Sequence, residues 1–592
     1  MPRFASRRLL LLWIVIGAQL VTALLARSAA SLWLVGAPWL IGLAAAVILV
    51  HGPAPRLRRS GHPARKRELW VVVALTALAG LLRLPRLESL PAGIYGDEGE
   101  FGSLALAISR GQGPEPFGVA FLGDPALYVH VLAPFVSWLG PTMEAIRLPS
   151  ALVGTATVPL FYGLVRHLYG RFVALLAAFF LATSAVHIHF SRLALNVIWV
   201  PFFTCLSLWL LKRGLDERKD VWFLLAGIAG GVGFYFHFGA RLIIPILIAI
   251  LISQSLVNRR DWRIWVRATG FIVLGAFLAL SPFLSNLSNN PELLTDHTNK
   301  RGIWNHWHDL ADRYDTVASD KTGILWEQVR RTFFAFTTEP DSRYGAFMYR
   351  FMDQPLLPTI IAVLAISGVV ALSLRWRSDA ARITLIWLTM PCIFASILTD
   401  VAGQAHRLLN PMLAALIAAA LVIDAGRRFL WPRLPVQAAV VAVTCILLVP
   451  LIAGFRDSYD YIQSGATMSF GVPATAQARC LEALPAGTLA LIDGAPRIYA
   501  RHGPSRYLAA DVVRKDLDDA SEDIPDKPQQ VVILVHEWNR SSAESILSAY
   551  PNGSSVEIQR PEGRRALTVI AIDPDERAAA SVLQACRQNA DA

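Results

Sequence analysis

The chain has 592 residues, of which 54% are hydrophobic and 17% are charged, and its formal net charge is +11. Long apolar runs with so little charge exclude an ordinary soluble protein and indicate a polytopic membrane protein. The positive charge could indicate a nucleic-acid partner, but the basic residues lie in short loops between apolar runs, where the positive-inside rule accounts for them. We therefore expect membrane lipids as partners and no nucleic acid.

The N-terminal region predicts a pair of membrane helices. Three arginines precede an apolar run at about 9–26, and a second run follows at about 32–50. The first run resembles a signal peptide, but the second follows so closely that a retained helical hairpin is favoured. The next loop is strongly basic and is expected to be cytoplasmic. A third span, at about 69–84, therefore ends on the outer side of the membrane.

Ten further apolar runs follow, and the charges between them test the orientation. Every second connection is basic, and all these connections fall on the side of the N-terminus. The sequence thus predicts about 13 spans, with the N-terminus in the cytoplasm and the C-terminus outside, in the inner membrane. The ten runs lie at roughly 145–165, 170–187, 195–213, 221–237, 240–257, 265–284, 355–374, 380–398, 408–425 and 436–455.

The expected fold is mainly α, with a small α/β domain outside the membrane. Residues 1–67 form the N-terminal hairpin and basic loop, residues 68–455 form the transmembrane catalytic domain, and residues 456–592 form the extracytoplasmic domain. The outer loops 85–144 and 285–354 belong to the catalytic domain. In the C-terminal domain, short β-branched runs predict strands at 489–492, 531–535 and 567–572, with a helix at 543–550.

The cysteines match no zinc spacing. Three lie in apolar runs and are expected to pack there: Cys205, Cys392 and Cys445. Cys480 and Cys586 lie in the predicted extracytoplasmic domain, where disulfides persist. We expect them to form a bond that closes a loop of roughly 100 residues. Two buried reduced thiols are the alternative.

Two adjacent carboxylates, Asp97 and Glu98, follow the third span, where charges are costly unless they reach water or have a task. The apolar positions between 101 and 108 recur with helical spacing, so a helix is predicted from Asp97 to Gly111. Asp97 stands at the expected N-cap, and Glu100 completes a capping-box pattern. Asp97 could therefore simply cap a helix, but capping does not explain Glu98.

Residues 68 to about 410 resemble the GT-C glycosyltransferases, closest to the protein O-mannosyltransferase and aminoarabinose-transferase-like subset often called family 39. The likeness lies in YGDE at 95–98, GDPALY at 123–128, RLPSAL at 147–152, RHLYG at 166–170 and HFSR at 189–192. The resemblance implies a polyprenyl-phosphate-linked sugar donor and an acidic residue on the outer face, here Asp97, as general base. Glu98 would orient the acceptor or bind a cation.

The carrier phosphate requires cations, and arginine forks suit it. The predicted topology places Arg192, Arg241 and Arg407 at outer ends of spans, together with His189 and His406. Each arginine could instead snorkel at a helix end, and each histidine could pack at the interface. Arg407 resembles the family's late arginine, although Leu408 replaces the usual tyrosine.

The cofactor prediction is open. Asp124 stands where many relatives have a histidine before proline, and this departure leaves acceptor and metal use undecided. A divalent cation is possible, and the metal ligands are unknown. No nucleotide-binding fingerprint occurs, as a lipid-linked donor predicts.

The predicted function is an inverting membrane glycosyltransferase. It would transfer a hexosyl or pentosyl group to a hydroxyl or amine of a lipid, glycan or protein acceptor. Asp124 and the cations would bind substrate. The leading alternative is a transporter or flippase for lipid-linked sugars, but such proteins place polar residues near the midplane and often contain inverted repeats. A third hypothesis is a sensor or scaffold that binds through its C-terminal domain.

Overall fold

A computed structural model describes most of the chain. The described residues are 2–26, 32–51, 66–287, 295–338, 355–430, 452, 456, 471–485, 487–517, 530–559, 563, 565–573 and 575–590. Outside the C-terminal domain, the α-helices are Pro2–Ala26, Leu32–His51, Lys66–Arg83, Gly96–Ser109, Leu127–Leu139, Met143–Tyr169, Arg171–Thr183, Ala185–Ser191, Trp199–Glu217, Asp220–Gly233, Ile243–Val257, Trp262–Leu287, Asp296–Arg301, Trp307–Arg313, Lys321–Thr337, Thr359–Leu374, Asp379–Cys392 and Ala405–Leu430.

Each predicted span that the described residues cover contains a helix, although some span ends, such as 234–237 and 355–358, are turns or irregular. Eight described helices are long and apolar enough to cross a membrane, or nine if the bent pair Arg171–Thr183 and Ala185–Ser191 is one span. Three shorter apolar helices accompany them, at Leu127–Leu139, Asp220–Gly233 and Thr359–Leu374. The predicted span at 436–455 lies outside the described residues apart from Ile452. The count of about 13 stays a prediction.

Glycines allow two of these helices to pack backbone to backbone. A methyl group added at Gly227 would lie 2.1 Å from the carbonyl oxygen of Ile272, and one added at Gly275 would lie 2.2 Å from that of Leu224. Small residues permit such approach between membrane helices, where packing rather than water exclusion drives association. Just after the first of these helices, the Tyr235 hydroxyl donates to the carbonyl oxygen of Ala279 in the second at 3.0 Å.

The C-terminal domain has a five-stranded sheet in the order β2-β1-β3-β5-β4. Its strands are β1 (Leu489–Asp493), β2 (Arg514–Asp516), β3 (Val531–His536), β4 (Ser554–Gln559) and β5 (Arg565–Ile572). Strands β1, β2 and β3 are parallel, and β5 runs antiparallel to both β3 and β4. Helices Gly471–Glu482, Gly503–Leu508, Arg540–Ala549 and Glu576–Ala590 complete the domain.

The predicted strands β1, β3 and β5 and the helix between β3 and β4 are confirmed, whereas β2 and β4 were not predicted. The predicted disulfide is also confirmed, because Cys480 and Cys586 are bonded with a Cα–Cα distance of 4.2 Å. The bond joins helix Gly471–Glu482 to the C-terminal helix Glu576–Ala590. The domain boundaries given above remain predictions.

The helix that carries Asp97 differs from the prediction at its start. It spans Gly96–Ser109, and Tyr95 rather than Asp97 is the N-cap. Glu98, not Glu100, reaches back to the N-cap, because its Oε2 accepts a hydrogen bond from the Tyr95 N–H at 3.1 Å. The helix begins before Asp97, which lies in its first turn, so the capping prediction for Asp97 is wrong.

Candidate active site

A cleft of about 540 Å³ forms where the segments 85–144 and 285–354 meet the ends of several membrane helices. Five of the eight residues predicted for the site line it. Its titratable side chains are Asp97, Asp124, His237, Arg241, Lys300, Arg301, His406 and Arg407. The cleft therefore brings together residues up to about 310 positions apart in the chain and opposes two carboxylates to four cations.

The carboxylates come from two separate turns. Asp97 lies in the first turn of helix Gly96–Ser109, and Asp124 ends the short turn Phe121–Gly123. The Asn196 side-chain amide donates to Asp124 Oδ2 at 3.0 Å. Burial raises the pKa of Asp124 to about 7, and the charge of Asp97 adds to this, whereas Asn196 and Arg241 oppose it. Burial therefore favours the protonated form of Asp124 more than in an ordinary aspartate.

One of the cations is held over aromatic rings. The guanidinium of Arg241 lies 4.8 Å from the ring centroid of Phe234 and 4.3 Å from that of Phe238. Such contacts favour a planar cation and fix its orientation. Arg241 lies within electrostatic range of Asp124 across the cleft. This position suits a group that must bind an anion beside the carboxylates.

Two further arginines share one carboxylate, Asp400. Arg407 Nη2 donates to Asp400 Oδ1 at 2.9 Å, and Arg301 Nη1 donates to Asp400 Oδ2 at 3.0 Å. Arg407 also donates to Thr399 Oγ1 at 2.5 Å. Although burial opposes it, the two arginines hold the pKa of Asp400 below its ordinary value. Since one carboxylate balances two guanidiniums, this side of the cleft retains a net positive charge.

Glu98 does not line the cleft. Its side chain and that of Arg147 are both fully buried, and they form an ion pair with Nε–Oε1 at 3.0 Å and Nη2–Oε2 at 3.1 Å. The backbone N–H groups of Tyr95 and Ala194 also donate to its carboxylate, at 3.1 and 2.7 Å. Because every lone pair has a partner, Glu98 stabilises the loop rather than reaching a substrate.

Arg192 and His189 also lie outside the cleft lining. Arg192 donates to the carbonyl oxygens of Arg83, Pro85 and Leu90 at 2.7–3.1 Å, and thus holds the turn after the third span. His189 is buried beside the ring of Phe190, with the centroids 5.0 Å apart. The structure therefore gives both residues packing positions behind the first outer loop.

Lys300, Arg301 and Trp304 line the cleft and were not predicted as substrate ligands. A signal for them exists in the sequence. Two adjacent basic residues stand in a predicted outer segment, where the positive-inside rule does not place them. Trp304 follows three residues after Arg301, and a tryptophan in such a segment can stack on a sugar or belong to the interfacial aromatic belt. Basic residues in a predicted outer segment, where the positive-inside rule does not expect them, are therefore candidate substrate ligands.

Metal ligands do not cluster in the described part of the chain. Within it, no three His, Cys, Asp or Glu side chains are arranged so that they could hold a metal ion. His306 and His308 flank Trp307 in the segment 285–354, and their spacing suggests a metal pair. His306 instead pairs with Asp309, with 2.8 Å between Nδ1 and Oδ2. The possible divalent cation stays a prediction.

Sequence comparison matches part of the chain after Asp97 to a known protein family. Residues 124–288 match the model of the family described as dolichyl-phosphate-mannose-protein mannosyltransferase. YkcB of Bacillus subtilis, whose name provisionally assigns it to the mannosyltransferases, is 30% identical over 120 residues. That match spans 19% of this chain and 17% of the length of YkcB. Asp124 and Arg241 lie inside the family match, and Asp97 lies before it.

Structure comparison extends the likeness to most of the chain. ArnT from Cupriavidus metallidurans bound to undecaprenyl phosphate superposes with a TM-score of 0.52 at 14% identity, covering 85% of this chain and 97% of ArnT. The same protein in the apo state superposes with a TM-score of 0.50 at 15% identity, covering 88% of this chain and 99% of ArnT. These matches show the fold. The chain is an integral membrane protein with the GT-C fold, and it carries a region like glycosyltransferase family 39. The resemblance stated from its motifs is confirmed.

Proposed function

We propose that this protein is a glycosyltransferase that takes a sugar from a polyprenyl-phosphate carrier and passes it to an acceptor hydroxyl or amine on the outer face of the membrane. The observation that carries the proposal is the opposition of Asp97 and Asp124 to Arg241, Lys300, Arg301 and Arg407 in one cleft. A carboxylate can accept the acceptor's proton while cations hold the departing phosphate. A substitution in one displacement inverts the anomeric carbon.

Asp97 is the general base in this proposal. It lines the cleft from a helix whose start is fixed by the buried pair of Glu98 and Arg147. The acceptor proton moves to the Asp97 carboxylate as the acceptor oxygen or nitrogen bonds to the anomeric carbon. The bond between that carbon and the phosphate oxygen breaks, and the carrier phosphate leaves as an anion.

The cations stabilise that anion. Arg407 and Arg301 are oriented by Asp400, and Arg241 by the two phenylalanine rings, so their positions are set before substrate arrives. Such preorganised charge is worth more in a cleft that excludes water than in solution. The names of the relatives support the donor class, since the family description includes dolichyl phosphate mannose and ArnT binds undecaprenyl phosphate.

The apolar side of the cleft supports a lipid-linked donor. Leu242, Pro391, Phe394 and Leu398 line it together with the charged residues. Phe394 is 50% exposed, and in this proposal the carrier chain packs against it. The cleft is placed in this proposal at the outer rim of the inner membrane, with the N-terminus in the cytoplasm.

The test uses purified protein in lipid nanodiscs with undecaprenyl-phosphate mannose and undecaprenyl-phosphate aminoarabinose as probes. Asp97→Asn should bind undecaprenyl phosphate normally but lower donor turnover by about 10²–10⁴-fold, the usual contribution of acid–base catalysis. Asp312→Asn, an exposed aspartate of the second outer loop, is the matched control. Near-normal turnover by Asp97→Asn would remove the proposed base. Mass spectrometry of envelope glycans in a deletion strain identifies the acceptor.

A further inference from the structure

The C-terminal domain contacts the helix that carries Asp97 along most of its length. We call Gly96–Ser109 the Asp97 helix and Gly503–Leu508 the docking helix. Arg506 of the docking helix donates to Glu100 Oε2 at 2.7 Å. At the other end, Arg110 forms two parallel hydrogen bonds with the carboxylate of Asp511, both at 2.9 Å. The two contacts flank the helix at its first and last turns.

Between these ion pairs, the backbones of the two helices touch. A methyl group added at Gly99 would lie 2.3 Å from the backbone nitrogen of Pro504, and one at Gly503 would lie 2.5 Å from the carbonyl oxygen of Gly96. One added at Gly102 would lie 2.8 Å from the Tyr507 ring. Only glycine permits this approach without moving one helix, so the sequence is fitted to a fixed position of the domain.

A second helix of the domain holds the loop just before Asp97. Thr475 Oγ1 accepts a hydrogen bond from the Ile94 N–H at 2.7 Å, and Arg479 donates to Glu88 at 2.8 Å. The helix that supplies both residues, Gly471–Glu482, is tied by Cys480 to the C-terminal helix of the domain. The loop and the helix around Asp97 are thus bound to one disulfide-linked unit.

We propose that the C-terminal domain is a positioning part of the active site, which holds the Asp97 helix through Gly99, Gly102 and the Glu100–Arg506 pair so that Asp97 faces the cleft. This inference rests on the proposed function, because it assumes that Asp97 acts on substrate. The positioning residues Arg506 and Pro504 touch the helix and not the cleft lining.

The Glu100–Arg506 pair also sets the charge beside Asp97. Glu100 follows Asp97 by three residues, so the two carboxylates are neighbours on the helix surface. Burial raises the pKa of Glu100, Arg506 opposes this, and the charge of Asp97 adds to it. Without Arg506, an unbalanced carboxylate would stand next to the base and disfavour its ionisation.

Other titratable groups surround these residues and remain in place in the test. Those on the cleft side are Asp124, His237, Arg241, Lys300, Arg301, His406 and Arg407. On the domain side, His502 packs against Gly96. Arg514 lies within electrostatic range of both Arg501 and Arg506. Within the described residues, Arg506 is the side chain that donates a hydrogen bond to the Glu100 carboxylate.

The first experiment measures the pH dependence of donor turnover in the full-length protein. Arg506→Ala should move the acidic limb of the pH–rate profile upward by about one unit, with a roughly tenfold loss of kcat below it and little change in KM. Arg506→Ala combined with Glu100→Gln should restore the limb, which a merely structural loss would not allow. Arg540→Ala, an exposed arginine of the same domain, is the control. The electrostatic role of Arg506 is refuted if Arg506→Ala leaves the acidic limb of the pH–rate profile unshifted. It is also refuted if adding Glu100→Gln does not return that limb to its wild-type position.

The second experiment does not depend on activity. Gly99→Ala should increase amide hydrogen exchange across residues 96–109, because its methyl group cannot coexist with Pro504 at the observed spacing. Gly163→Ala is the matched helical control, since no heavy atom lies within 4 Å of its added methyl group. Unchanged exchange in Gly99→Ala overturns the positioning role even if Asp97→Asn is inactive. If Gly99→Ala increases exchange but Asp97→Asn stays active, the contact between the domain and the helix stands and the proposed base is refuted.

Discussion

Arg147 provides the sharpest test of how the site is supported. Its guanidinium donates to both oxygens of Glu98 and to the carbonyl oxygens of Leu87, Pro91 and Gly93, at 2.6–3.1 Å. Arg147→Ala would leave a fully buried carboxylate without its counter-charge. Breaking a buried pair from one side costs about 3–5 kcal/mol, so we expect a loss of that size in the free energy of unfolding.

The assay is SDS titration in mixed micelles, with the free energy of unfolding compared at a fixed SDS fraction. Arg267→Ala is the matched control, because the Arg267–Asp220 pair has the same 3.0 Å spacing but is 58% and 27% exposed. That control should change stability by roughly 0–1 kcal/mol. Glu98→Leu combined with Arg147→Met should recover only part of the loss, since the three carbonyl oxygens stay unsatisfied. A loss below about 1 kcal/mol for Arg147→Ala would refute the buried ion pair.

Three other predictions concern Arg407, the disulfide and Asp124. Arg407→Ala should weaken undecaprenyl phosphate binding by about 1.5–3 kcal/mol in calorimetric titration, and an unchanged affinity would place the phosphate elsewhere. Cys480→Ser with Cys586→Ser should lower the stability of the C-terminal domain to urea by roughly 2–5 kcal/mol, and no change would contradict a stabilising bond. Asp124 has a pKa raised from 3.8 to about 7, so its contribution to stability is fully present below pH 3.8 and is lost as the pH rises through 7. The stability of the wild type relative to Asp124→Asn should fall by about 4 kcal/mol across that window in pH-dependent melts, and a flat difference would show that Asp124 is solvated.

Local patterns predicted the elements well. Helical spacing of apolar residues identified the Asp97 helix to within a few residues, and β-branched runs identified strands β1, β3 and β5. Strands β2 and β4 escaped because they carry alternating or charged residues, such as Arg514-Lys515-Asp516 at the sheet edge. Edge strands commonly carry charge, which weakens the apolar signal that reveals a central strand.

Pairings between distant residues could not be predicted in this way. Arg147 stands 49 positions from Glu98, and Asp400 stands 99 positions from Arg301. Each of these residues is plausible as a surface charge when only its neighbours are known. Their partners become visible only once helix packing has been determined. The same holds for Gly99 and Gly102, which read as ordinary helix glycines until the docking helix lies against them.

The geometry of the α-helix explains why two adjacent carboxylates took different roles. Consecutive residues of a helix project about 100° apart, so Asp97 and Glu98 cannot both face one cleft from the same helix. Phe101, four residues after Asp97, lines the cleft with it, as residues on one face should. Glu98 therefore projects toward the core, where burial requires a counter-charge, and Arg147 supplies it. Glu100 projects to a third side and meets Arg506. The three carboxylates of one helical turn thus face the cleft, the buried guanidinium of Arg147 and the C-terminal domain.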